Sequence, residues 1–472
     1  MPLTHTYIRD MINQETLYEL VRQLNTHIIG PVMVYALLAA GIFFTVRLHF
    51  GPRYYLHAIR TIFSQRGGSG RASRATGMSP IQALATAVAS QVGTGNIVGV
   101  AMAMLMGGPG ALFWLWVSGI LGMSTNFAEA MLGQIYKGRT ADGHIVGGPA
   151  FYIHQGLHSR FMARFFSVFF IIALGMIGIM VQANSISSAL ITLFPHEANP
   201  LWIGGALAVF VGLVLSGGIT RIAAFTESVV PVMAALFIGS CMVYIALHIE
   251  ALPSAVADVF RYAFTPRAGV GGAAGIGVMT AVRYGVSRGL FSNEAGLGTT
   301  PHAHAIAKVQ NWYEQGLMAV VGISIDLLVC TFTGLVMLVS GVLTSSDGLM
   351  GIQLMQTAFG QSFGTAGTWV IAVSLFFFAM STIVGWYFFA AQNVRYLFGE
   401  RPINAYRVLV MLLVVLASAI EVPLIWELAD TFNFFIVVPN LIALFWLSPK
   451  VAAQTRRMRQ KIAQRIGSSK QG

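Results

Sequence analysis

Apolar runs of about 20 residues recur from one end of this chain to the other, the length a helix needs to cross the hydrocarbon of a bilayer. Few folds survive that constraint. In lipid each backbone polar group must be satisfied internally, which leaves helices and closed barrels. A barrel is excluded because its strands alternate over about 10 residues instead of running apolar. Charged residues make up 10% of the 472 and hydrophobic ones 56%, against roughly 25% charged in a soluble domain. The chain reads as an all-α polytopic membrane protein.

The runs predict about eleven spans, near 29–49, 79–105, 110–136, 165–193, 200–219, 222–248, 270–299, 316–344, 365–394, 404–421 and 424–447. Basic residues gather in every second loop. Arg53, Arg60, Arg66, Arg71 and Arg74 follow the first span, and Lys137, Arg139, Arg160 and Arg164 follow the third. Arg221, then Lys308, then Arg395, Arg401 and Arg407 mark the next alternate turns, and seven basic residues from Lys450 to Lys470 fill the tail. The intervening loops hold mainly acids such as Glu197, Asp347 and Glu421. This pattern orients the chain with its N-terminus outside and its C-terminus cytoplasmic. It also accounts for the net charge of +11 without nucleic acid as a partner. Met1 to Asn25 is polar and of mixed charge, so no cleavable signal peptide is expected. Cys241 and Cys330 lie in apolar segments and read as small core residues.

Setting the first span aside leaves ten, which split five and five. An odd number per half makes the halves opposite in orientation, the inverted-repeat plan of many secondary transporters. The expected divisions are 1–78 (an extracytoplasmic segment, an extra span and a basic cytoplasmic loop), 79–250 and 251–447 (the two repeats), and 448–472 (a basic cytoplasmic tail). The first span of each half is interrupted. One contains QVGTGNIVG (Gln91 to Gly99); the other contains Arg288, Ser292, Asn293 and Glu294 among several glycines. Interrupted segments at matching places in two halves point to a transporter's binding site. A broken helix exposes N–H groups at one half-helix, which suit a carboxylate, and carbonyls at the other, which suit a small hard cation. The other reading of such a stretch is a glycine-rich packing face; the second break at the matching position favours a cradle.

At this point a resemblance becomes specific. GGPGALFWLWVSGILG (Gly107 to Gly122) resembles the signature of the alanine/glycine:cation symporter family, also called sodium:alanine symporters. SQVGTGNIVGV before it, VGGPAFYI from Val146, RGLFSNEAGLG from Arg288 and STIVGWYFF from Ser381 are similar to family motifs in the same order. The resemblance runs from about Ser79 to Pro439. It departs at Leu115, where Met is expected, at Gly119, where Ser, Thr, Ala or Val is usual, and at Gln91, where a small or hydroxyl residue is more common. The last bears on substrate range. The resemblance implies the LeuT-like fold of the amino acid–polyamine–organocation transporters, a five-plus-five inverted repeat with one extra helix, and sodium-coupled uptake of alanine or glycine.

Candidate residues follow. Thr94, Gly95 and Asn96 are expected to contact substrate, with Gln182, which resembles the family's glutamine, offering an amide oxygen to the ammonium. Trp386 and Phe291 are candidate walls that exclude larger side chains. Sodium, as a hard cation, wants about five or six oxygens; Gln91, Val92, Gly95, Ser381 and Thr382 are the expected donors. Against these stand plain alternatives: helix–helix hydrogen bonds for Gln182, packing for the aromatics and back-bonding for the hydroxyls. Glu294, with Arg288, is a candidate for gating or charge: Glu294 is expected to gate, to pair with Arg288 or Arg283, or to help neutralise cations. Glu129 and Glu227 are expected in salt bridges near the cytoplasmic ends, and Asp326 has no assignment. His302 and His304 are expected in a solvated cytoplasmic loop. No catalytic, Walker or dinucleotide motif stands in a supporting context, so neither an enzyme nor an ATP-driven pump with an ATPase subunit is expected. The expected function is a cation-coupled symporter of small neutral amino acids. Its rivals are a proton-coupled or exchange transporter on the same fold and, from other classes, a channel or an amino-acid sensor.

Overall fold

A computed structural model describes residues 15–51, 54–59, 77–139, 145–194, 197–265, 277–309, 311–344, 348–419 and 423–468. The basic run from Arg53 to Arg74, Asp347, Glu421, Lys470 and positions 270–276 of the expected seventh span lie outside them, apart from positions 54–59 within that run.

Helices dominate, as the hydrocarbon demands. They are α1 (Glu15–Leu48), α2 (Pro80–Gln91), α3 (Gly95–Gly107), α4 (Gly110–Ile135), α5 (Pro149–Gly156), α6 (Arg160–Leu193), α7 (Pro200–Ser216) and α8 (Gly218–Leu247). There follow α9 (Leu252–Phe264), α10 (Val278–Asn293), α11 (Pro301–Ile306), α12 (Trp312–Val339), α13 (Ile352–Phe363), α14 (Thr365–Phe398), α15 (Ile403–Ala419) and α16 (Pro423–Ser468). A two-residue ribbon, β1 (Gly138–Arg139) with β2 (Ile145–Val146), lies between α4 and α5.

Among the described residues, seven helices are long and apolar enough to cross a membrane: α1, α4, α6, α8, α12, α14 and α16. The pair α2 and α3 passes the same test jointly, bent by 48° at its break, and α7 and α15 are shorter apolar helices. The chain is a multi-pass all-α membrane protein. Among the described residues, four helices lie between the expected spans: α5, α9, α11 and α13. Of these, α9 buries Ala255, Val259 and Ala263, one residue per turn, and leaves Phe260 and Phe264 exposed. It is a surface-lying amphipathic helix, shorter than a span, as are α5, α11 and α13.

Local chemistry starts the helices where the sequence permits. Ser79 caps α2 reciprocally: its Oγ accepts from Gln82 N at 3.1 Å, and Gln82 Oε1 accepts from Ser79 N at 3.0 Å. Pro80 follows at the first turn, where its missing N–H costs nothing. Packing then depends on small residues, because lipid gives apolar side chains little reason to prefer one another. Gly285 and Gly289, four apart on α10, lie directly against Ala111 O and Ser118 Oγ of α4, where a Cβ would overlap both. The broken helices are tied end to end as well. Met78, just before α2, pairs with the end of α11 through Met78 N to Ile306 O (3.3 Å) and Lys308 N to Met78 O (3.0 Å).

Candidate functional site

The chain unwinds in two places, and the two meet. The first break, Val92 to Thr94, separates α2 from α3. The second, Glu294 to Thr300, separates α10 from α11. Ser90 Oγ donates to Glu294 Oε2 at 2.9 Å, and Gln91 Nε2 donates to Asn293 O at 2.8 Å. The C-terminal turns of two half-helices far apart in sequence are therefore joined by side chains. Beside this junction lies a cleft taking in about 590 Å³ of non-atom space, open solvent included.

Five elements line it. The first break presents Gly93, Thr94 and Gly95; α10 and the second break present Arg288, Phe291, Ser292 and Glu294; α6 presents Gln182, α14 Trp386, and α16 Trp426, Ala429 and Asn433. A π-helical segment of α6, Ala173–Gly178, ends at Gly178, whose missing Cβ leaves room for the Trp386 ring. Such segments recur at functional sites. Thr94, Gly95, Gln182, Phe291, Trp386, Arg288 and Glu294 thus share one cleft.

At the start of α3 the N–H groups that a helix leaves orphaned are partly taken. Thr94 N donates to Gln182 Oε1 at 3.2 Å, and Gly93 N donates to Asn96 Oδ1 at 3.0 Å. Gln182 therefore makes the helix-to-helix bond that was its plainer alternative. A Cβ at Gly95 would meet nothing within 4 Å, so that position opens on free space.

Asn96 is a correction. It is fully buried and does not line the cleft. Its Nδ2 donates to Asp326 Oδ1 at 2.6 Å and approaches Cys330 Sγ at 3.3 Å. Ser292 Oγ donates to the same Asp326 oxygen at 2.6 Å. Asp326, unassigned from sequence, is the α12 anchor that joins Asn96 behind the first break to Ser292 just before the second. Cys330 is buried in the core, as expected, and also borders this polar group. Periodicity could not reveal either role, because both depend on α12 lying behind the breaks.

Of the α14 hydroxyls, Thr382 faces the end of α2 and Ser381 faces α8. Thr382 Oγ1 donates to Ala89 O at 2.9 Å and lies 3.5 Å from Val92 O, besides back-bonding to Phe378 O at 3.0 Å. Ser381 Oγ donates to Phe378 O at 2.9 Å and touches Met233 sulfur at 3.3 Å. The gathered oxygens are the Ala89, Val92 and Phe378 carbonyls with two hydroxyls. Val92 was expected; Ala89 lies two residues before the expected stretch, one turn back from Val92 on the end of α2. Gln91 contributes no side-chain oxygen there: its amide serves Asn293, and among the described residues its buried Oε1 has no partner.

The acids also depart from expectation. Among the described residues the ion pairs are Arg22 with Glu19 and Arg395 with Glu400. Glu294 pairs with neither Arg288 nor Arg283; besides Ser90 it accepts from Trp386 Nε1 at 2.8 Å. Glu227 accepts from Gln82 Nε2 at 2.9 Å. Glu129, fully buried, is held by N–H donors alone: Gly296 N and Gly298 N at 3.1 Å each, and Asn440 Nδ2 at 2.6 Å. Gly296 and Gly298 have φ of 89° and 78°, which turns successive amides onto one anion and which glycine adopts without strain. His302 and His304 are buried in α11, not solvated. His302 spans Thr299 O (2.7 Å) and Asn393 Nδ2 (2.9 Å), and His304 Nδ1 meets Gln315 Nε2 at 2.7 Å. PHAHA reads as a loop because a six-residue half-helix is too short to show a period.

The α16 wall is pinned from outside the cleft. Trp426, Ala429 and Asn433 share one face of that helix, while Glu427 and Thr431 share the next. Asn25 of α1 donates to Glu427 O and Oε2, each at 2.7 Å, and accepts from Thr431 Oγ1 at 2.8 Å.

The sequence profile of the sodium:alanine symporter family matches residues 14–471. An uncharacterized transporter of Haemophilus influenzae is 37% identical over 95% of this chain and 97% of that protein. The sodium/alanine symporter AgcS of Methanococcus maripaludis is 37% identical over 93% and 96%. The probable sodium/glutamine symporter GlnT of Bacillus subtilis is 36% identical over 91% and 90%.

Proposed function

The chain belongs to the sodium:alanine symporter family, transporters and not enzymes, and on that premise we propose that it imports small neutral amino acids, alanine and glycine first, together with sodium. Alternating access around the cleft would carry both. The observation that bears most weight is the meeting of the two helix breaks beside one polar cleft, joined by Ser90 to Glu294 and Gln91 to Asn293. Broken spans at corresponding positions suit the five-plus-five inverted repeat of eleven spans, with 79–250 and 251–447 as halves, 1–78 as the leading segment and 448–472 as the tail. A bacterial inner membrane with the C-terminus cytoplasmic goes with that reading.

In this scheme the substrate carboxylate sits at the start of α3, at Thr94 and Gly95, where the helix end is partially positive. Trp386 and Phe291 bound its side chain, and Gln182 holds the Thr94 amide in place. Arg288 adds positive charge to the wall, and Glu294 fixes the Trp386 indole and Ser90 instead of closing an ion pair. Sodium is co-transported, coordinated by the Ala89, Val92 and Phe378 carbonyls with Thr382 and Ser381. Because the Ala89 and Val92 carbonyls lie at the end of α2 and in the break that leads to the substrate seat, sodium would order the break, and substrate must tighten sodium in equal measure.

Uptake of labelled alanine into proteoliposomes tests this. Accumulation that needs an inward sodium gradient and fails in potassium supports sodium symport. Accumulation driven by a pH gradient without sodium would move coupling to a buried acid such as Glu294. Neither alanine nor glycine uptake by folded protein would overturn the substrate assignment.

A further inference from the structure

Asn433 is a polar side chain in the cleft wall whose amide oxygen has no partner among the described residues. It lies on α16 and is 1% exposed. It lines the cleft together with Trp426 and Ala429, its neighbours on the same helical face. Leaving a buried amide oxygen unpaired forfeits its hydration without replacement, and each such group calls for a use. The helix around it is not loose. Asn25 binds Glu427 and Thr431 on the adjoining face, so the amide is held toward the cleft by a fixed element.

Several other polar groups of the cleft are spoken for, although Gln91 Oε1, at the junction of the breaks, also has no partner among the described residues. Ser90 and Trp386 Nε1 are bound to Glu294, and Gln182 Oε1 to Thr94 N. An acceptor without a donor on the wall formed by α16 complements a ligand that brings a donor. We infer that Asn433 supplies a hydrogen-bond acceptor to the transported amino acid and so helps set which amino acids the cleft takes. This rests on the amino-acid reading above. The donor is an N–H or O–H of the substrate, from either of two sources: the ammonium that all amino acids carry, or a side-chain hydroxyl or carboxamide.

The test measures binding of alanine, glycine, serine and glutamine to the full-length protein in sodium, with thermal stability followed in parallel. The variant is Asn433→Leu, which keeps the shape and removes the polar atoms; Asn433→Asp, which keeps an acceptor, is the control. The Leu variant is expected to be as stable as the parent or more so, since an unpaired buried amide is gone, yet to bind at least roughly tenfold more weakly, as expected for a hydrogen bond with a charged partner or an acceptor-matched side chain. Equal loss for all four amino acids assigns the ammonium. Loss confined to serine and glutamine assigns the side chain. Retention by the Asp variant of more affinity than the Leu variant supports either source. Binding of all four within twofold by a stable Leu variant overturns the inference, as does a fall in stability of both variants, which would mean that the amide serves the fold. If the unaltered protein binds none of the four, the amino-acid reading itself fails, and this inference with it.

Discussion

Two glycines of the first break, two residues apart, should respond in opposite ways to the same added methyl. A Cβ at Gly95 would meet nothing within 4 Å. Gly95→Ala should therefore fold normally, and the smaller backbone freedom of the unfolded chain should add about 0.4–1 kcal/mol of stability. The methyl would stand in the cleft at the start of α3, where a substrate carboxylate has to approach. Overfilling a fitted space costs about 1–3 kcal/mol, which at about 1.4 kcal/mol per factor of ten corresponds to a roughly 5- to 150-fold weaker affinity for alanine. Gly93 is the contrast. A Cβ there would lie 2.5 Å from Thr382 Oγ1 and 3.3 Å from Gln182 Oε1. Gly93→Ala should push the Thr382 hydroxyl off the Ala89 and Val92 carbonyls and lower stability by about 1–3 kcal/mol. The assay is alanine binding and uptake, with thermal unfolding, on both variants in parallel. A stable Gly95→Ala protein that transports alanine within twofold of the parent would refute the placement of substrate at α3. An unstable one would refute the open space at Gly95.

Three further outcomes follow from the geometry. Thr382→Val keeps the shape but removes the hydroxyl that reaches Ala89 O and Val92 O; half-maximal uptake should need roughly tenfold more sodium, since an oxygen ligand to a charge is worth about 1.5–3 kcal/mol, and an unchanged sodium titration would count against the carbonyl cluster. Trp386→Phe leaves Glu294 Oε1 without its indole donor, so alanine uptake should fall about tenfold while sodium dependence persists; equal uptake by the two proteins would remove Trp386 from the cleft's function. Glu129→Ala leaves the inward amides of Gly296 and Gly298 without their acceptor and should destabilise the protein by about 3 kcal/mol or more, read as a lowered unfolding temperature; a stability loss under 1 kcal/mol would mean that the second break holds its shape without Glu129.

By itself, the sequence determined the helical membrane class, the approximate spans and the two interruptions. These depend on local quantities: the length of apolar runs, and the appearance of Gly, Asn, Ser and Glu where hydrocarbon would otherwise continue. It also picked out Thr94, Gly95, Gln182, Phe291, Trp386, Arg288 and Glu294, all of which the fold gathers at one cleft. It could not foresee which partner each polar group takes. Asn96 faces Asp326 instead of the cleft, Glu294 meets Ser90 and Trp386 in place of an arginine, and Glu129 is wrapped by glycine amides in place of a salt bridge. His302 and His304 are buried because α11 turns back into the protein, and Asn433 matters only because α16 is pinned by Asn25 against the cleft. Periodicity says which residues avoid water, and a broken period says where the backbone needs outside partners. Which partners come depends on contacts between elements hundreds of residues apart, and only the tertiary packing of ten or more helices fixes them.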